Sequence, residues 1–455
     1  MSSQQVLEQL KSGLLAGIQR LDLSCGLTEF PREIFDLADS LEILNLSGNA
    51  LTSLPDDLSR LHKLRIIFCS DNLFTELPAV LGQCKNLTMV GFKANQISRV
   101  PDEALAPTLR WLILTDNRIQ SLPSSIGQCK QMQKLMLAGN QLSDLPSELA
   151  ECTNLELLRL SANRFSALPI WLLTMPRLAW LALAGNPLTE SFETTRQTPR
   201  IADIDWQHIE LGVKLGEGAS GVIYQAKLRQ TNGSSQQVAV KLFKSAVTSD
   251  GMPLSEMATS IAVGLHFHLV GVLGQISHHP NGAMGLVMPL IASDYANLAQ
   301  PPSLESCTRD VYAPETVLSL SQVCSVALGI AYATEHLHAR GILHGDLYAH
   351  NILHNSEGHG LLGDFGAASF LPVNDTGMMQ ALQRIEVRAF GIFLAELLAH
   401  CFESNNHAKQ AVKLKLGDLQ QLCTQTKASA RPLLADVVRE LYAYQHHIES
   451  VSSIS

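Results

Sequence analysis

One recurring asparagine frames the first half of this chain. Asn49, Asn72, Asn95, Asn117, Asn140, Asn163 and Asn186 follow one another at spacings of 23, 23, 22, 23, 23 and 23 residues. Ahead of each stands the same apolar pattern, plainest in Leu41-x-x-Leu44-x-Leu46-x-x-Asn49-x-Leu51. It returns at Leu109, Leu112, Leu114, Asn117 and Ile119, and again at Leu155, Leu158, Leu160, Asn163 and Phe165. A shorter early copy holds Leu21, Leu23 and Cys25, and a Leu-Pro step follows most copies, as at Leu54-Pro55, Leu77-Pro78 and Leu122-Pro123. A single copy is too short to bury its own apolar face. The copies therefore have to stack and share one continuous core.

These residues resemble the leucine-rich repeat, with about eight copies over residues 15–190. The resemblance implies an α/β leucine-rich-repeat solenoid. Its leucines point inward from alternate strand positions, and the asparagine satisfies backbone groups where each coil turns. The repeat length and the Leu-Pro step resemble the cytosolic type. Strand positions between the inward leucines then face the concave surface: Ile43, Ile66, Phe68, Met89, Trp111, Ile113, Met136, Leu157 and Trp180. An apolar stripe of that extent reads as a partner surface, because isolated soluble proteins rarely expose one. The expected partner is a protein substrate or regulator touching Phe68, Trp111, Met136 and Trp180, or the other half of the same chain docked there. The plainer alternative is that these side chains cover the edge of the core.

Composition excludes several other classes. Hydrophobic residues at 46% with 16% charged residues describe a globular chain, not a disordered one. The net charge of −9 is spread along the sequence, and no basic run points to nucleic acid or to a membrane surface. No apolar run approaches the roughly 20 residues of a spanning helix, and the first thirty residues lack the charged start and apolar block of a secretory leader. The nine cysteines are odd in number and show no CxxC spacing. They read as free thiols in a reducing, cytoplasmic compartment, without a structural metal site.

The period stops after Asn186-Pro187-Leu188, and residues 191–205 read as a linker rich in threonine and charge. A second domain is expected over residues 206–445. It opens with Leu215-Gly216-Glu217-Gly218-Ala219-Ser220-Gly221-Val222-Ile223. Dinucleotide-binding folds use the same glycine spacing, but there a helix follows at once. Here strand-like alternation continues through Ile223, Tyr224 and Ala226, and a second strand is expected at Val238-Ala239-Val240-Lys241. A glycine loop between two strands lies over phosphates as a lid. The Asn232-Gly233 pair supplies the next turn.

From this point the chain resembles the protein-kinase superfamily, a two-lobed α+β fold, over nearly all of residues 206–445. The resemblance rests on the glycine loop, on Val238-Ala239-Val240-Lys241, on His344-Gly345-Asp346-Leu347-Tyr348-Ala349-His350-Asn351, and on Gly363-Asp364-Phe365-Gly366. It implies ATP and Mg²⁺ as cofactors. Lys241 would neutralise the α/β phosphates with Glu256 as its helix partner. Asp346 would orient the attacking hydroxyl, and Asn351 and Asp364 would hold the magnesium ion. Leu215, Gly216, Gly218 and Gly221 would line the phosphates. Ile223 and Ala239 would roof the adenine pocket, Leu353 would floor it, Met288 would be the gatekeeper, and Ile291 would donate to the base.

The pattern departs from the family in three places. Gly345 stands where an arginine usually precedes the catalytic aspartate, and this argues against switching by loop phosphorylation. The stretch after Gly366 is short and holds no Ala-Pro-Glu. Glu386 replaces the usual aspartate of the long central helix, and Arg431 resembles the partner of the missing glutamate. The expected function is transfer of the ATP γ-phosphate to a protein hydroxyl, serine or threonine more than tyrosine, with the repeats serving recognition or regulation. The alternative is a nucleotide-binding, pseudokinase-like scaffold with little transfer.

Overall fold

The computed structural model describes residues 2–189, 201–230, 233–244, 248, 250–402 and 407–452. The chain divides into two compact units, Met1–Leu178 and Ala179–Ser455. Asn232 of the expected Asn-Gly turn lies outside the described residues. Gly233 has φ +83° and donates its N–H to the Gln230 carbonyl, as a turn there needs.

The first unit opens with helix α1 (Ser3–Lys11), whose N-terminus is closed by a reciprocal Ser2–Gln5 capping box. Seven three-residue strands follow: β1 (Arg20–Asp22), β2 (Ile43–Asn45), β3 (Ile66–Phe68), β4 (Met89–Gly91), β5 (Trp111–Ile113), β6 (Lys134–Met136) and β7 (Leu157–Arg159). Each pairs in parallel with the next, one repeat further on: Leu21 lies beside Leu44, Leu44 beside Ile67, Ile67 beside Val90 and Leu112 beside Leu135. These central residues point inward and are buried. The asparagines do the work that their period implies. Asn140 accepts from the Ile119 N–H at 3.0 Å and donates to the Leu114 and Leu137 carbonyls at 2.9 and 3.0 Å. Asn72, Asn95, Asn117 and Asn163 repeat this set one coil at a time. Each side chain thus closes its own turn and bonds its neighbour, so the ladder is continuous.

The Leu-Pro steps start short 3₁₀ helices on the opposite side, with Pro78, Pro101, Pro123, Pro146 and Pro169 each in extended conformation just before one. On the strand side, Ile66, Met89 and Leu157 are buried, while Phe68, Trp111 and Met136 are half-buried. The Lys134 ammonium lies 4.3 Å from the Trp111 ring, whose N–H reaches Met136 Sδ at 3.2 Å. The stripe is therefore less open than the alternation of the sequence implies.

The second unit begins with β8 (Trp180–Ala182), the strand of the last repeat. A six-stranded sheet follows, in the order β10 (Ile209–Glu217), β11 (Gly221–Arg229), β12 (Ser235–Phe243), β14 (Gly285–Pro289), β13 (Gly274–Ser277) and β9 (Ala202–Asp205). Of the expected linker of 191–205, residues 191–200 lie outside the described residues, and Ala202–Asp205 form strand β9 instead. Its residues lie parallel to β13, with Ile204 beside Ile276, and Ile204 packs against the buried cluster of Ile209, Val238, Val240 and Val287. Helix α2 (Pro253–Val263) starts on Pro253, where a missing N–H costs nothing, and ends at Gly264 with φ +70°.

The remainder is mainly helical: α3 (Leu320–Ala339), α4 (Thr376–Ala399), α5 (His407–Cys423) and α6 (Leu434–Ser452). Phe390 and Phe393 of α4 meet edge to face at 6.0 Å in its core. Short strands β15 (Ala296–Asn297), β17 (Ile352–His354) and β18 (Gly360–Leu362) form one sheet, and β16 (Ile342–Leu343) pairs with β19 (Ser369–Phe370). All nine cysteines are free. Among the described residues no helix is long and apolar enough to cross a membrane.

Candidate active site

The β10–β11 hairpin carries the glycine loop. Gly218 donates its N–H to the Gly221 carbonyl at 2.9 Å. A Cβ at Gly216 or Gly218 would meet nothing within 4 Å, so protein packing does not explain either glycine. Gly221 is different: a Cβ there would stand 2.6 Å from the Leu242 carbonyl oxygen. Strand β12 then brings Lys241 opposite Ile223 on one side and Leu286 on the other. The Lys241 ammonium bonds the Glu256 carboxylate of α2, and the two side chains are only 13% and 3% exposed. Burial pushes the Glu256 carboxyl above its ordinary range. Lys241 opposes this, and the nearby charge of Asp364 adds to it.

The loop from His344 to Asn351 is fixed from the α4 side. The buried Glu386 carboxylate accepts from the His344 N–H at 3.2 Å, the Gly345 N–H at 2.6 Å and the His338 ring at 2.8 Å. Burial alone would raise its pKa, but His338, His344 and the Gly345 N–H outweigh it and hold the carboxyl below the usual range. Asn351 spends its amide nitrogen on the Asp346 carbonyl at 3.0 Å and carboxylate at 2.8 Å. Its amide oxygen is thereby turned over to other donors or cations. The Asn351 carbonyl accepts from Gly363, and the His344 ring bonds the Gly363 carbonyl at 2.9 Å. Asp364 itself sits at φ +53°, a left-handed conformation that costs energy for any residue but glycine. Its carboxylate accepts from the Gly366 N–H at 3.1 Å, and the Phe365 ring lies 5.4 Å from His344. The Asn351 amide oxygen and the Asp364 carboxylate are hard oxygen donors, of the kind that suits Mg²⁺.

The remaining sequence-expected residues fall around this centre. Ala239 pairs with Met288 across β12 and β14. Met288 packs on the cluster of Phe243, Ile261 and Leu286. Ile291 follows the end of β14, Leu353 lies in β17, and Leu215 is exposed on β10.

Comparison with known proteins identifies both halves of the chain. Residues 209–390 match the family model described as protein tyrosine and serine/threonine kinase. Residues 107–165, 130–188 and 40–61 match leucine-rich-repeat models. The chain joins leucine-rich repeats to a protein kinase domain. The mouse megakaryocyte-associated tyrosine-protein kinase is 31% identical over 212 residues, 43% of this chain and 38% of that protein. Fibroblast growth factor receptor 1 of Xenopus laevis is 26% identical over 168 residues, 35% of this chain and 20% of the receptor. A probable serine/threonine-protein kinase of Arabidopsis thaliana is 29% identical over 175 residues, 38% of this chain and 22% of its own length. The chain thus spans well under half the length of these relatives.

Several residues of the kinase domain carry structure that their identity alone does not disclose. Asp310, in the loop before α3, accepts from the His350 N–H at 3.0 Å and bonds its ring at 2.7 Å, fixing the residue next to Asn351. No motif marks Asp310; its signal is burial of a carboxylate. Arg431, left without an obvious partner by the sequence, is buried and bonds backbone carbonyls of Gln425 and Arg384 at 2.8 and 3.1 Å. The stretch from Gly366 to α4 is as short as expected, residues 367–375 only.

Trp180 is corrected. It was expected on an open concave face, but it is 1% exposed. Its indole N–H donates to the Leu347 carbonyl at 2.9 Å, and its ring stacks on Tyr348 at 4.2 Å and 6°.

Proposed function

We propose that this protein is an Mg-ATP-dependent protein kinase that phosphorylates a protein hydroxyl, serine or threonine before tyrosine, in a cytoplasmic setting. The observation that carries the reading is the buried Lys241–Glu256 pair. A desolvated ammonium beside a cleft needs a counter-charge, and a lysine so held is a fixed positive site for the α/β phosphates. Asp346 would accept the proton of the substrate hydroxyl and orient its oxygen for attack. The Asn351 amide oxygen and the Asp364 carboxylate would hold Mg²⁺, which when bound bridges phosphate oxygens and offsets their charge. Gly216 and Gly218 leave space for a phosphate under the loop, and Gly221 packs the lid onto β12.

The nucleotide-binding scaffold without transfer has less support, because each group that transfer needs is present and tied into the network. The preference for serine and threonine rests on general frequency alone; the relatives include a tyrosine kinase. The half-buried Phe68, Trp111 and Met136 suit recognition of a protein segment. The deciding test is ³²P transfer from Mg-ATP by purified protein and by Asp346→Asn. Incorporation that depends on Asp346 supports the reading, and equal incorporation by both overturns it.

A further inference from the structure

The catalytic loop of the second unit is held from two sides. Glu386 of α4 grips the His344 and Gly345 amides. The last repeat meets the other side through two contacts on the loop and a third on the adjoining strand β19. Trp180 bonds the Leu347 carbonyl and stacks on Tyr348, and the Leu183 N–H donates to Ser369 Oγ at 2.9 Å. At Gly345 the backbones close up: a Cβ would stand 2.7 Å from the Leu181 carbonyl oxygen and 2.6 Å from that of Ala367. Gly345 also has φ +75°, so both its conformation and its surroundings exclude a side chain. The Arg309 guanidinium lies 5.7 Å from the Trp180 ring.

We propose that the last repeat is a built-in clamp on the catalytic loop, with Trp180 as a positioning residue for Asp346. The inference rests on the kinase reading for its catalytic consequence only. Leu347 and Tyr348 are the two residues that follow Asp346, so fixing the Leu347 carbonyl and the Tyr348 ring restrains the aspartate's backbone. The clamp does not touch Lys241 or the glycine loop. Its loss should therefore act on turnover and not on nucleotide binding.

The test uses the full-length protein with Trp180→Ala and Trp180→Phe. Expected for the alanine variant is a kcat lowered about ten- to a hundredfold, since misplacement by an ångström is felt at that level. Its Mg-ATP affinity by calorimetry should stay within about twofold, because uniform binding is untouched. Amide hydrogen exchange across His344–Tyr348 should accelerate. Phenylalanine keeps the stack and loses the N–H donor, so it should fall between alanine and wild type in both kcat and exchange. A folded alanine variant with unchanged kcat and unchanged exchange overturns the clamp. Should the alanine variant not fold, the phenylalanine variant decides on the same two readouts, and wild-type values again overturn it. Asp346→Asn is measured alongside. If it transfers as much phosphate as wild type, the kinase reading fails, while hydrogen exchange in the Trp180 variants still judges the clamp.

Discussion

Replacing Glu386 with glutamine tests how the catalytic loop is held. The side chain keeps its shape but exchanges one acceptor oxygen for an NH₂ group. The native carboxylate takes three donors: Gly345 N–H on one oxygen, and His344 N–H and the His338 ring on the other. An amide nitrogen on either side therefore faces a buried N–H and leaves at least one donor unmet. A buried unsatisfied group costs about 1–3 kcal/mol, and a charge-assisted bond is weakened as well. The expected loss is about 2–4 kcal/mol, a large share of the roughly 5–15 kcal/mol that holds a domain folded. Urea unfolding should show a lower midpoint with an unchanged slope. The pH dependence has a definite sign. Glu386 titrates below its ordinary 4.5 in the folded protein. Its contribution is therefore complete above the unfolded value and is lost as pH falls through the folded one. Wild type should lose stability on acidification through that window, and Glu386→Gln should lose less. A glutamine variant within about 0.5 kcal/mol of wild type at neutral pH, the size of an ordinary surface change, would refute the reasoning.

Three further outcomes follow from the same contacts. Asn140→Ala removes three buried bonds, two of them between coils, and should cost the repeat array about 2–4 kcal/mol, read as a lower melting temperature of the first unit. Gly345→Ala meets both a left-handed backbone and two carbonyl oxygens within 2.7 Å, so about 2 kcal/mol or more of stability should be lost in urea titration. Cys25 should react first with a thiol reagent in the native protein, followed by mass spectrometry of its peptides. It is half-buried, whereas burial pushes the thiols of Cys84 and Cys152 up to about 11 and those of Cys129, Cys324 and Cys423 up to about 12.

Much of the molecule was legible from spacing. The asparagine period located every coil but the first, because the residue bonds both its own turn and the preceding coil. Lys241 is legible from its strand motif and Glu256 as the best candidate on the following helix, although its spacing is about one residue long; the bond from Asn351 to Asp346 is not legible from their gap. What stayed hidden has a common cause. Strand β9 is short and polar, and its pairing with β13 depends on a residue some 70 positions away. Asp310 bonds His350 and Arg431 bonds the Arg384 carbonyl, both on distant segments, and local pattern says nothing of either. Alternation along a repeat strand tells which face a side chain lies on and not what covers that face, which is how Trp180 was misplaced on an open surface.

Trp180 and Gly345 explain each other. Read as a lone substitution, Gly345 is an absence, a missing arginine and with it a missing switch. The close approach of the Leu181 and Ala367 carbonyls makes it a requirement, since any side chain would force backbone apart. A buried indole with its N–H bonded to the loop is likewise not a loose surface residue caught in a groove. Burying its polar end without a partner would be unfavourable, and the Leu347 carbonyl is the partner. An arginine at 345 would meet the same two carbonyls, so the loop held by the repeat strand and a loop with that arginine are mutually exclusive arrangements of one site. The chain has the first: residues 345–348 are held by the backbone approach at Gly345 and by the contacts of Trp180 with Leu347 and Tyr348.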